Sequence, residues 1–174
     1  VRRTTPFTWE KTRWDTAIIV LLVGCLFLFA RNVVRFSVPP FEDAAMLMRY
    51  AQHVAEGHGV VWNIGEPPVD GATDFLFMIV TAFLVRIGLS VESAVRSLGA
   101  GTHLLTVILV YLAVRYLHRG PILVALTSAL YLAIGPGLYY VAAYFGTPFF
   151  AFFASLTLCL GWLVVKHPDS VLLA

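Results

Sequence analysis

Two adjacent carboxylates, Glu42 and Asp43, follow directly on Pro39-Pro40-Phe41 and open the one long polar interval of an otherwise apolar chain. That interval, 41–74, holds six of the ten acidic residues. Acids in the first turn of a helix are stabilised by the helix dipole. The chemical alternative is a general base that takes the proton of an acceptor hydroxyl, its neighbour supporting it or binding a cation. Arg49 lies seven residues beyond Glu42 on the same helical face. It can pair with Glu42 or Glu56, or hold a lipid-linked phosphate through paired guanidinium hydrogen bonds. His53 and His58 can assist such a phosphate or simply be solvated. No paired-cysteine or His-Glu-x-x-His spacing is present. A divalent cation, the one cofactor such a site could use, would have only Asp43 or Glu42 to hold it. His103 sits inside a hydrophobic run, where an ionisable group faces either a packed bundle interior or a wet pocket.

The elements that must position these residues are membrane helices. The chain of 174 residues is 59% apolar and 13% charged, with a mean hydropathy of +0.83. Soluble domains average about 45–50% apolar and about 25% charged. A net charge of +2 without a basic, aromatic-interleaved stripe excludes nucleic acid as a partner. Cys25 and Cys159 both fall in hydrophobic runs and read as small apolar residues. The fold expected is all-α: a polytopic helical membrane protein with about four spans, near 15–35, 95–117, 121–140 and 148–165. Amphipathic juxtamembrane helices fill the first outer loop, about 38–92.

Within that loop, Ala44, Leu47, Met48, Ala51 and Ala55 recur at the spacing of one apolar helical face. Glu42, Arg49, His53 and Glu56 form a polar stripe, and Gly57 and Gly59 punctuate the end. This helix is too charged to cross and reads as lying in the outer interface. Phe75 to Ser90 is apolar but short, and carries Arg86. If it does not cross, Arg115, Arg119 and Lys166 join Arg2, Arg3, Lys11 and Arg13 on one side. Seven of the twelve basic residues are then inside, and seven of the ten acids outside. The positive-inside rule favours that arrangement, with a cytoplasmic N-terminus and a first span acting as a signal anchor. Gly135-Pro136-Gly137 weakens the outer end of the span at 121–140. Val1 and the closing Val171-Leu172-Leu173-Ala174 suggest a piece of a longer protein, so 1–174 reads as a single N-terminal membrane module.

The run from Glu42 to Glu66 resembles a signature of membrane glycosyltransferases of the GT-C fold: Asp-Asp-x5-Arg-Tyr-Ala-x-Asn-Leu-Ala-x-Gly-x-Gly-x-x-x-Asn-x-Gly-Glu. It is similar to the arabinofuranosyltransferases of mycobacterial cell walls and related enzymes that use polyprenyl-phosphate sugars. Asp70-Gly-Ala-Thr-Asp-Phe-Leu-Phe77 and the stretch from Ala94 to Arg119 look like the segments that follow in that family. The resemblance covers nearly the whole chain, but only the block from Glu42 to Glu66 is specific.

What the resemblance implies is an inverting transferase in the inner membrane, with its active site on the extracytoplasmic face. The donor would be a polyprenyl-phosphate-linked sugar, and the acceptor a glycan, lipid or protein hydroxyl. Asp43 and Glu42 fall on the catalytic acid, Glu42 standing where Asp is usual. Arg49 and Tyr50 match the Arg-Tyr pair, and with His53 and His58 would form the donor-phosphate site. Where the family reads Gly-x-Glu-Thr-Pro-Leu-Phe, this chain has Tyr144-Phe145-Gly146-Thr147-Pro148-Phe149-Phe150, so the role of that acid is absent or met elsewhere. The fragment alone is expected to be inactive. The rival class is a non-enzymatic transporter or assembly subunit whose outer loop binds lipid headgroups, and a third option is a folded remnant without activity.

Overall fold

The computed structural model describes residues 9–33, 39–68 and 71–166. Arg2, Arg3, Arg35 and Asp70, all used in the reading of topology, lie outside the described residues, as do the last two positions of the span expected at 15–35. Seven α-helices follow in order: α1 (Trp9–Val33), α2 (Glu42–Ala55), α3 (Phe75–Arg86), α4 (Val91–Leu112), α5 (Ile122–Ile134), α6 (Pro136–Ala142) and α7 (Thr147–Lys166). A π-helical turn, Ala113–Leu117, extends α4. No strand occurs among the described residues.

Among the described residues, three helical stretches are long and apolar enough to cross a membrane: Val91–Leu117, Ile122–Ala142 and Thr147–Lys166. They correspond to the last three spans expected. The middle stretch is broken at Gly135, where an added Cβ would lie 2.6 Å from the Tyr131 carbonyl oxygen. Pro136 then opens α6, a position where its missing N–H costs nothing. The first expected span corresponds to α1, a single helix of 25 residues.

α2 forms where the sequence places it. Phe41 is extended (φ −63°, ψ 157°), and Glu42 and Asp43 occupy the first turn. Gly57 and Gly59 take positive φ (88° and 81°), where a side chain is strained. Its apolar stripe does not rest on lipid, however. Leu47, Tyr50 and Ala51 bury against Met78 and Ala82 of α3, and Ala44 and Met48 against Phe77, Val95, Tyr144 and Phe149. The expected interfacial helix is therefore also an integral part of the packing, because α3 supplies the apolar partner that lipid would otherwise be. α3 has 12 residues, about 18 Å at 1.5 Å each, well short of the ~30 Å hydrocarbon core.

One polar lock ties α1 to the rest. Asp15 is 2% exposed, and Tyr111 donates its hydroxyl to Oδ1 at 2.7 Å, Tyr116 to Oδ2 at 2.6 Å, and Arg115 its Nε–H to Oδ1 at 3.0 Å. Arg115 also donates to the Gly120 carbonyl at 3.1 Å. The π turn supplies both Arg115 and Tyr116. Lys166 donates to the Leu117 carbonyl at 3.2 Å, and Trp162 lies 5.0 Å from His118. The start of α1 and the C-terminal ends of α4 and α7 thus share one end of the bundle. Arg115 and Lys166 gather at that end, beside the start of α1, as charge counting predicts.

Candidate functional site

At the other end of the bundle, the N-terminal ends of α2, α3, α4 and α7 meet. The cluster of Ala44, Met48, Phe77, Val95, Tyr144 and Phe149 joins them through buried apolar side chains. Three of its members bring a charged neighbour along the chain: Asp43 precedes Ala44, Arg49 follows Met48, and Arg96 follows Val95. Phe41 anchors the start of α2 between Tyr139 (6.1 Å between ring centres) and Phe145 (6.0 Å). The apolar packing leaves the side chains of Glu42 and Asp43 exposed. Neither carboxylate has a hydrogen bond or ion pair among the described residues.

The other residues named from the sequence gather one to four turns along α2, against the loop that follows. Arg49 donates from Nη2 to Asn63 Oδ1 at 2.9 Å and stacks over the Trp62 ring at 4.4 Å. Asn63 in turn donates to Glu66 at 2.8 Å. Arg49 pairs with neither Glu42 nor Glu56: Trp62 and Asn63 take its side chain instead. Glu56 accepts from Gln52 at 2.9 Å and lies 3.8 Å from His58. His53 Nδ1 is 2.8 Å from the Val61 carbonyl, and its ring meets that of His58 edge-on at 6.3 Å. Tyr50 is 1% exposed, packed on Trp62 at 5.8 Å and under Gly71, whose Cβ would come within 2.8 Å of the Tyr50 hydroxyl. The carboxylate pair and the Arg49–His53–His58 group therefore occupy two ends of one helix, about 10 Å apart along its axis.

Three functional candidates at the carboxylate end escaped sequence reasoning. Arg96 donates from Nε to the Tyr144 hydroxyl at 2.7 Å, donates to it from Nη2 as well, and lies 3.9 Å from Glu92. Tyr144 holds a positive φ of 66° at the end of α6, where glycine is usual. It is 3% exposed, so the position keeps a strained backbone in exchange for the ring and hydroxyl that hold Arg96. The third candidate is Asp74. An added Cβ on Gly146 would strike Asp74 Oδ2 and come within 3.1 Å of Phe77 Cδ1. The room beside Gly146 is taken by the carboxylate of Asp74, the residue at the N-terminal end of α3. A faint signal existed: Asp74 directly precedes the apolar helix α3, and Arg96 lies in the second turn of α4.

His103 is buried at 4% exposure in α4, with Nε2 3.3 Å from the Ala133 carbonyl and its ring filling the space over Gly137. It seals the α5–α6 break, a structural contact. Cys25 and Cys159 are free thiols. No group of three or more His, Cys, Asp and Glu side chains converges among the described residues. Glu42 and Asp43 bring two carboxylates to this surface, the ligands that a divalent cation shared with a substrate phosphate would use. The chain matches no protein-family model, no curated protein and no solved structure.

Proposed function

We propose that this chain is a module of a membrane glycosyltransferase that moves a sugar from a polyprenyl phosphate to a hydroxyl acceptor. The observation that carries the reading is the pair of exposed, unpartnered carboxylates on α2, fixed by Phe41 and Ala44 to one end of the membrane bundle. The GT-C resemblance of the surrounding residues supports it independently. In this reading α1 is the fourth crossing. The basic end, with Arg115 and Lys166, is cytoplasmic, as positive charge favours, so the carboxylates face the extracytoplasmic leaflet.

The chemistry is a single displacement. Asp43 accepts the proton of the acceptor hydroxyl as its oxygen bonds to the anomeric carbon. The bond from that carbon to the phosphate oxygen breaks on the opposite face, and polyprenyl phosphate leaves with the electron pair. The sugar's configuration inverts, and Asp43 returns its proton to water. A phosphate leaving group needs charge stabilisation more than a proton. Arg49, oriented by Trp62 and Asn63, keeps further N–H donors beyond the one given to Asn63. Arg96, oriented by Tyr144, is a second cation nearer the carboxylate end. Glu42 stands beside Asp43 as the second candidate base, and Tyr50 serves as the packed floor that fixes the Arg49 turn.

The test is transfer of radiolabelled sugar from a panel of polyprenyl-phosphate donors to membrane acceptors by the full-length parent protein. Asp43→Asn should abolish transfer at normal expression. Undiminished turnover would sink the assignment, and no turnover with any donor would favour the non-enzymatic lipid-binding class. Orientation is tested by cysteines placed at Glu66 and Arg119 in a background lacking Cys25 and Cys159. They should be labelled from opposite sides of the membrane.

A further inference from the structure

The polyprenyl-phosphate reading leaves one feature unused: a cleft of about 410 Å³ between α3 and α7. Its walls are Phe75, Phe77, Phe149, Phe150 and Phe153, and its one charged lining group is Asp74. The rings pack at a tilt of 60°, Phe77 on Phe149 at 5.7 Å and Phe149 on Phe153 at 4.8 Å. A cavity of several hundred Å³ with aromatic walls and a single polar group is the usual form of a small-ligand site.

Two observations define the occupant. The cleft opens on the outward side of α7, where Phe150 is 72% exposed and, further along, Leu158 is 75% exposed. In a membrane that side is lipid, so the cleft is entered by a hydrocarbon chain moving laterally. The second observation is the carboxylate. Asp74 is half-buried and caps neither helix: its side chain makes no hydrogen bond to the start of α3, and it has no other hydrogen bond or ion pair among the described residues. Gly146, by lacking a Cβ, leaves the space that this carboxylate fills. A half-buried carboxylate with open acceptor positions and no cation in its lining repels phosphate and draws hydrogen-bond donors.

We infer that the α3–α7 cleft binds the chain of a neutral, hydroxyl-headed lipid, whose head donates hydrogen bonds to Asp74. Resting on the transferase reading, this lipid is the acceptor, seated by Asp74 with its hydroxyls toward the α2 carboxylates. The polyprenyl-phosphate donor, being anionic, is turned away from this cleft and docks by the arginines. The substrate class is thereby narrowed from any hydroxyl to a lipid carrying a sugar or polyol head.

The experiment is photocrosslinking of the full-length protein in lipid nanodiscs with two probes of equal chain length, an alkyl glucoside and a phosphatidic acid, each bearing a diazirine in the chain. Crosslinked peptides are mapped by mass spectrometry. The glucoside should label 73–77 and 149–153 about tenfold more than the anionic probe, the scale of a hydrogen bond to a charged group. Asp74→Asn, which keeps the shape, should erase most of that preference, and Asp74→Lys should reverse it. Equal labelling by both probes, or equal labelling of these peptides and the lipid-facing remainder of α7, means ordinary surrounding lipid and overturns the inference. So does a preference for the anionic probe. The two readings fail separately. Asp74-dependent glucoside labelling without sugar transfer leaves the cleft standing and removes the enzyme. Sugar transfer without glucoside preference removes the cleft alone.

Discussion

The two ends of the bundle treat their charges in opposite ways. At the basic end, Asp15 is buried and both of its oxygens are taken, by two tyrosine hydroxyls and an arginine. At the other end, Glu42, Asp43 and Asp74 have no partner among the described residues, although Arg96 is close at hand on the cluster that joins them. Arg96 is spent on Tyr144 and Glu92 instead. A buried carboxylate that is fully satisfied holds helices in place and is closed to ligands. One that is exposed or half-buried and unsatisfied contributes little to the fold and remains open to a hydrogen-bond donor.

Substitutions at the two ends sharpen that contrast. The largest effect is expected at Asp43: Asn in its place should lower sugar transfer by about 10²–10⁴-fold, the range for loss of a general base, with thermal stability unchanged. A parallel loss of folded protein would make Asp43 structural and collapse the distinction. Next comes Asp15→Ala, which strands a guanidinium and a buried hydroxyl. It should destabilise by about 3–5 kcal/mol, read as a fall in detergent melting temperature. Stability within 1 kcal/mol of the parent, by about the scale of a neutral surface change, would show that the lock is idle. Tyr144→Phe removes the hydroxyl that accepts from Arg96 and should cost about 1.5–3 kcal/mol. Tyr144→Gly sharpens the same point, because it relieves the positive φ yet should still lose stability if the ring's packing outweighs the strain. The smallest effect belongs to Arg49→Ala, about 0.5–1 kcal/mol for an exposed stack on Trp62. A several-fold loss of transfer beyond that change in stability would mark a phosphate contact rather than a surface one.

Much of the helical layout is legible in the residues. The four-residue recurrence of Ala44, Leu47, Met48 and Ala51 specifies a helix and its buried face, since only one stripe of a helix can be apolar beside a polar interval. Pro39-Pro40, Gly57 and Gly135-Pro136 mark helix boundaries, because proline lacks the N–H of the ladder and glycine readily leaves helical φ. The three crossing stretches follow from run length against membrane thickness. The shortness of Phe75–Arg86 alone explains why it stays at one end of the bundle.

What covers each face is another matter. The stripe of α2 reads equally well against lipid or protein, and only packing assigns it to α3. Asp15 looks like the polar margin of a hydrophobic run. Its burial depends on Tyr111, 96 residues away, and on a π turn that no local pattern announces. Gly146 reads as a missing acid, and nothing along the chain shows Asp74 moving into its place. Local periodicity and backbone chemistry act over a few residues, so the chain alone determined the helices, their breaks and the grouping of charge. Which carboxylates are satisfied and which stay open depends on groups far apart in the chain coming to one end of a bundle, and that was decided only by the tertiary fold.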